Sequence, residues 1–500
     1  MDRFIEHLRF DSIAEILKKR YMHVLFIWFS MIILYFALDG GVENAPKRLL
    51  IISGALFSAM MLVPGKYHNR VFISIILSGS LFVYITPVMD IPDENAHYSR
   101  ALYLSDGNLY VPEKIEQSKV ADDIMDVEAV FKQPLVLTDL EKEKVAETKV
   151  KYPGMMHTNG YAFISYLPQA AGILIARLFD LSISASIILG RFFNLLVYAL
   201  LVRLALKKSS SNKYVLGTVA LLPMSVYIAA SFNQDAMSNG LIFLLIGLFC
   251  EFTEKEYISD VDIFIFALLS LSLATMKFPY ILIVGLLLFL PKNKLNLRKY
   301  LVIFISIVTT LIVGMVWLKI ASSINLQLVA ENPEINPVEK VAYTIQNLGA
   351  FIKLVLKEFF YLIPNKLQGT FTFGWFTYGL DLTWLYIAYL SCVFVMLPRK
   401  KIFSNWNRAG ILLVSLAIIM GILLTAYLMW NPVTVMSFTG VQGRYFLGVF
   451  VLLGLVSNIF SESNNKITVE NEKIDSILLL CSNFFILAMV IRTFIEYYQF

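Results

Sequence analysis

Apolar runs close to the ~20 residues that cross a hydrocarbon layer recur from Tyr21 to the C-terminus, separated by short polar segments. Their spacing predicts membrane-crossing helices at 21–38, 49–63, 70–88, 183–202, 213–231, 236–251, 260–276, 279–291, 299–319, 381–397, 409–429, 443–460 and 474–496. The pattern is that of an all-α polytopic membrane protein with about 13 transmembrane helices. One further apolar segment, GYAFISYLPQAAGILIARLFDL at 160–181, has Pro168-Gln169 at its centre, with Tyr161 and Tyr166 ahead of them. Tyr favours the lipid–water boundary, so this segment is expected to lie along that boundary rather than cross.

Charge sets the orientation. Lys18, Lys19 and Arg20, RLALKKSSSNK at 203–213, KNKLNLRK at 292–299 and PRKKIFSNWNR at 398–408 are the clearest basic clusters. Short cytoplasmic loops attract Lys and Arg, so the N-terminus is expected in the cytoplasm of a multi-pass plasma-membrane protein. Segments 89–182 and 320–380 become long external loops, the first with interfacial helices and the second with the amphipathic AFIKLVLKEFFYLI. The chain divides into an N-terminal segment with two extra helices (1–69), a transmembrane core (70–460) and a C-terminal helix (461–500).

Composition agrees with this picture. Of 500 residues, 58% are hydrophobic and 16% charged, where a soluble domain carries about 25% charged residues. The net charge of +5 comes from loop clusters, which gives no nucleic-acid surface. No cleavable signal is expected ahead of the first apolar run. Cys250, Cys392 and Cys481 all lie in apolar runs, so no disulfide framework is expected.

The candidate chemistry begins at MDIPDENAHYSRALYL (89–104), just beyond a crossing helix. Pro92-Asp93-Glu94 either starts a helix, where Pro and carboxylates are favoured, or places a general base at the membrane edge. His97 falls four residues after Asp93, on the same helical face. Asp93, Glu94 and His97 are also the residues available to a divalent cation, a weak ligand set on its own. Asp235 in SFNQDAMSN is a helix cap or a site residue; Lys277 in ATMKFPY either snorkels or binds an anion. Gln442 and Arg444 in FTGVQGRYFLG enter a helix from outside, and the planar fork of Arg444 suits a phosphate. Arg191 lies deep in a span, where a charge marks function or pairs with a carboxylate. Asn159, Tyr161, Tyr166 and Gln169 line a sugar site or anchor the interfacial segment.

The strings PDENAHYSRALYLSDGNLY, YLPQAAGILIARLFDLS, GRFFNLLVYALL, LLPMSVYIAASFNQDAMSNG, TMKFPY and QGRYFL resemble, in that order over roughly 70–460, a bacterial polytopic family of unknown function. That family looks related to the GT-C glycosyltransferases of the protein mannosyltransferase and aminoarabinose transferase type. The resemblance implies a GT-C-like fold and a polyprenyl-phosphate-linked sugar as donor. It also implies a catalytic carboxylate at Asp93 with Glu94, Asp93 acting as base; the acceptor is expected to be an extracytoplasmic glycan, teichoic acid or lipid. Lys277 and Arg444 then become ligands of the lipid phosphate. The first external loop lacks a clear Asp-x-Asp, and the chain shows neither internal repeats nor helices interrupted at matching places in two halves. Either feature would favour the rival reading, a transporter or flippase of a lipid-linked saccharide. A scaffold for envelope polysaccharide assembly is the third.

Overall fold

The computed structural model describes residues 10–110, 127, 129–142, 156–209, 212–329, 334–396, 403–456 and 471–499. Most of the acidic stretch that begins at Glu113, the start of ENPEINP and the Arg-Lys-Lys of 399–401 fall outside them. Apolar sequence becomes helix almost throughout. In chain order the helices are α1 (Phe10–Asp39), α2 (Lys47–Leu62), α3 (Tyr67–Ile85), α4 (Glu94–Ser105), α5 (Leu167–Leu178) and α6 (Ile183–Lys208). Next come α7 (Lys213–Ala220), α8 (Pro223–Ala229), α9 (Asp235–Glu254), α10 (Asp260–Ala274) and α11 (Leu297–Val329). The last are α12 (Pro337–Gln346), α13 (Leu348–Gly369), α14 (Thr383–Met396), α15 (Asn405–Met429), α16 (Leu447–Val456) and α17 (Asn471–Tyr497). Among the described residues, 7 helices are long and apolar enough to cross a membrane: Glu15–Asp39, Tyr67–Ile85, Ile183–Lys208, Asp235–Glu254, Leu297–Ala321, Asn405–Met429 and Glu472–Tyr497.

The other six expected spans are shorter or broken among the described residues, and two of them take other forms. The run 213–231 breaks into α7 and α8 at Leu221-Leu222, because Pro223 has no N–H to continue a helix. The run 279–291 is a 3₁₀-helix, Phe278–Phe289. At the 3₁₀ rise its 12 residues reach about 24 Å, against about 18 Å as an α-helix. A short apolar segment thereby covers most of a bilayer.

Contacts sort the structure into two ends. At one, the basic segments are knit to helix ends: Arg20 to Glu472, Lys208 to Glu251 and Arg298 to Asp260. At the other lie the α3–α4 loop, the first turn of α9, the end of α10 and the approach to α16. The segment 160–178 belongs to this second end along its whole length. Its beginning is pinned by the Ala162 N–H to Thr275 O (3.0 Å) and its end by Arg177 to Asp106.

Helices α6 and α9 form the centre, and small residues allow close approach, as in membrane bundles. A Cβ on Gly172 of α5 would stand 2.5 Å from Gly190 N of α6. The outer face is α11, only 17% buried, whereas α17 is 72% buried. Thus the C-terminal helix is part of the core, packed on α1 and α3.

Candidate functional site

The α3–α4 loop turns sharply. Met89 (φ 54) and Asp93 (φ 68) take left-handed backbone conformations, uncommon for side chains other than Gly and Asn. Asp93 occupies the N-cap of α4, yet its side chain makes no capping bond. Its carboxylate instead takes Arg444 Nη2 at 3.0 Å. Arg444 Nη1 donates to Pro92 O (3.2 Å), and Arg444 Nε lies 3.5 Å from Asp235 Oδ2. Asp235, in the first turn of α9, accepts from Lys277 Nζ (2.8 Å) and from Gln234 Nε2 (3.0 Å).

Four motifs from distant parts of the chain therefore meet as one alternating network of two carboxylates and two cations, with no net charge. Asp93 is its open end. Its side chain is 45% exposed, against 3% for Asp235, 10% for Lys277 and 6% for Arg444. Gly443 makes this possible, since a Cβ there would collide with the backbone of Lys366 and Gly369 on α13.

Aromatic groups flank the network. Lys277 Nζ stands 4.9 Å from the centre of the Tyr445 ring. His97 Nδ1 is 2.8 Å from Tyr166 Oη, and its ring is 6.1 Å from that of Tyr161. Tyr161 is half-buried, and the loss of water around it raises its phenol above the ordinary range. Asn159 is also buried, in the 3₁₀ turn Met156–Gly160. Beside Arg444 a small, narrow cleft is lined by Ile91, Met224, Tyr227, Ile228, Phe376 and Gln442, among others. The Oε1 of Gln442 is buried without a partner.

Other expected site residues stand behind this surface. Glu94 and Arg191 form a bidentate pair, Nε–Oε1 2.9 Å and Nη2–Oε2 2.8 Å, with both side chains fully buried. Glu94 also accepts from the Phe232 N–H (3.1 Å). Arg191 donates in addition to Thr86 O (2.8 Å) and Pro87 O (2.9 Å). The pair locks the α3–α4 loop onto α6, the structural alternative for Arg191. It also corrects the expectation that Glu94 shares the catalytic position, because no face of its carboxylate is left for a substrate. Gln169 is likewise buried and holds Phe232 O at 3.2 Å.

Glu94 and His97 thus turn to different partners, and the ligand trio imagined with Asp93 does not assemble. Among the described residues no three His, Cys, Asp or Glu side chains draw together to hold a metal. Asp93, Glu94 and His97 as placed do not fit a divalent ion.

One cluster escaped the sequence reading. Asp90 is fully buried and accepts from three phenols: Tyr227 of α8 (2.6 Å), Tyr378 (3.2 Å) and Tyr497 at the end of α17 (2.7 Å). Burial raises its carboxyl above the ordinary range, opposed by the three hydrogen bonds. Trp375 Nε1 also donates to Met89 O (3.0 Å), so the 370–379 loop and α17 are fastened to the loop that carries Asp93. The phenols lie 137, 288 and 407 residues from Asp90, and no local pattern marks them.

The fold is that of an all-α polytopic membrane protein, with a charge network at one end of the bundle. Residues 76–453 match the model of a family described as a predicted membrane protein, DUF2142, and the chain belongs to that family. No curated protein and no solved structure matches it. Helices α1 and α2 precede the matched region, and α17, which supplies Tyr497, follows it.

Proposed function

We propose that the protein is a GT-C-like membrane glycosyltransferase that moves a sugar from a polyprenyl-phosphate donor to an extracytoplasmic acceptor. The observation that carries this reading is the half-exposed Asp93 carboxylate paired at 3.0 Å with a buried guanidinium that borders a mostly apolar cleft. An anionic headgroup with an apolar tail suits that combination. In the proposed reaction the donor phosphate binds Arg444 and Lys277. The acceptor hydroxyl gives its proton to Asp93 as its oxygen attacks the anomeric carbon. The bond from that carbon to the phosphate oxygen breaks, and the electron pair leaves with the phosphate, whose charge the two cations hold.

The test is Asp93→Asn in liposomes supplied with lipid-linked sugars and an envelope extract. Asn keeps the shape but takes up no proton, so transfer should fall by ~10²–10⁴ while donor binding persists. Full transfer by Asp93→Asn would overturn the reaction. The interrupted helix α7–α8, whose second half lines the cleft, favours one rival reading, a flippase for the same lipid. Movement of the lipid between leaflets by wild type, without any transfer product, would establish that rival.

A further inference from the structure

A second polar cluster sits at the basic end, away from the proposed site, between α1, α3 and α17. Arg70 is 1% exposed, and only its Nη1 is used, donating to Ser476 Oγ at 3.2 Å. Its Nε and Nη2 have no partner. Those two nitrogens form the side-on fork of a guanidinium, the edge that receives a carboxylate or phosphate bidentately. The same protein shows that edge filled: in Arg191 the Nε and Nη2 carry Glu94. In Arg70 it carries nothing among the described residues.

Arg20 lies alongside. It donates to Met61 O (3.0 Å) and Val63 O (2.9 Å), just before α3, and pairs with Glu472 at 3.1 Å. Glu472 and Ser476 are one turn apart on the same face of α17, so the guanidiniums they hold are neighbours. The nearby acids do not compensate both. Asp475 is engaged through Oδ1 by Tyr214 (2.6 Å) and Lys213 (3.4 Å). Glu472 is 80% exposed, and an ion pair to so exposed a carboxylate is weak and readily exchanged. Asp475 and Glu472 act on Arg70 from a distance, but a buried guanidinium with no carboxylate in direct contact is costly. Exchanging Glu472 for a ligand that reaches both arginines removes that cost.

We propose that Arg20 and Arg70 form a binding site for a phosphate-bearing anion, admitted when Glu472 swings off Arg20. Lys18 and Lys19, on the preceding turn of α1 and exposed, draw anions toward it. The phosphate belongs either to an anionic lipid headgroup or to a soluble ion.

The experiment measures the thermal midpoint of purified full-length protein in neutral detergent, titrated with phosphatidylglycerol, phosphatidylcholine or inorganic phosphate. The variants are Arg70→Met, which keeps most of the packing, and Glu472→Gln, which opens the site. Phosphatidylglycerol should raise the wild-type midpoint and phosphatidylcholine should not. Arg70→Met should lose most of that rise, and Glu472→Gln should reach it at several-fold lower lipid. An Arg70-dependent rise with inorganic phosphate as large as that with lipid assigns the site to a soluble ion. If Arg70→Met responds to every anion as wild type does, the site does not exist.

Discussion

Glu94→Gln isolates one charge inside the protein. Gln keeps the length of Glu and one carbonyl oxygen, but its amide turns an N–H toward the Arg191 fork. The Nε–Oε1 and Nη2–Oε2 bonds at 2.9 and 2.8 Å therefore cannot both survive. Neither side chain reaches solvent, so water cannot take the place of the lost carboxylate. Removing one member of such a pair costs about 3–5 kcal/mol. The carbonyls of Thr86 and Pro87 still accept from Arg191, which places the expectation toward the lower figure. The assay is unfolding of the detergent-solubilised protein followed by tryptophan fluorescence, in a cycle with Arg191→Met. Each single change should destabilise strongly, and the double variant should recover part of the loss, a coupling of about 2 kcal/mol or more. Native stability in Glu94→Gln, with transfer abolished, would refute this reasoning and return Glu94 to catalysis.

Other tests address the network and the topology. Arg444→Ala removes a charge-assisted contact worth about 1.5–3 kcal/mol, so apparent donor affinity should fall roughly ten-fold or more, and Arg444→Lys should restore it only in part; unchanged donor use would make Arg444 a packing residue. Because burial raises the Asp90 carboxyl above its ordinary 3.8, the folded state binds that proton more tightly than the unfolded chain. The stability of wild type relative to Asp90→Asn should therefore rise as pH falls from 7 toward that value; a difference independent of pH removes the argument. Cysteines at the exposed positions Lys142 and Val338 should react with an impermeant thiol reagent on intact cells, and one at Lys207 should not. Lys340 cannot serve, since it is fully buried with Nζ on Val435 O at 2.5 Å.

Helices were legible because hydrocarbon leaves a backbone few alternatives, so each long apolar run had to satisfy its own hydrogen bonds. The network was legible for a related reason. Asp93, Asp235, Lys277 and Arg444 are charges at the ends of apolar runs, where a charge is conspicuous. What sequence did not reveal was which charges pair with which. Glu94 and Asp93 are neighbours, yet the turn at Asp93 sends one carboxylate inward to Arg191 and the other to the rim. Asp90 stood in the quoted motif, but a buried acid neutralised by phenols looks like an ordinary loop acid until the tyrosines are located. The break at Leu221-Leu222 was written in LLPMS, and the apolar count alone passed over it.

The order of burial along the network bears on how the proposed reaction would begin. Asp235 is held by Lys277, Arg444 and Gln234, so it stays in place whatever binds. Asp93 has Arg444 and the solvent. A phosphate arriving at a network of zero net charge adds negative charge and competes for the same guanidinium. The carboxylate that yields is the one with fewest ties, already half in water. On this reading Arg444 masks the base until the donor is in place. Asp93 is then released toward the acceptor side only when there is a leaving group to accept the electron pair. Water that reaches the site without donor meets a carboxylate already occupied.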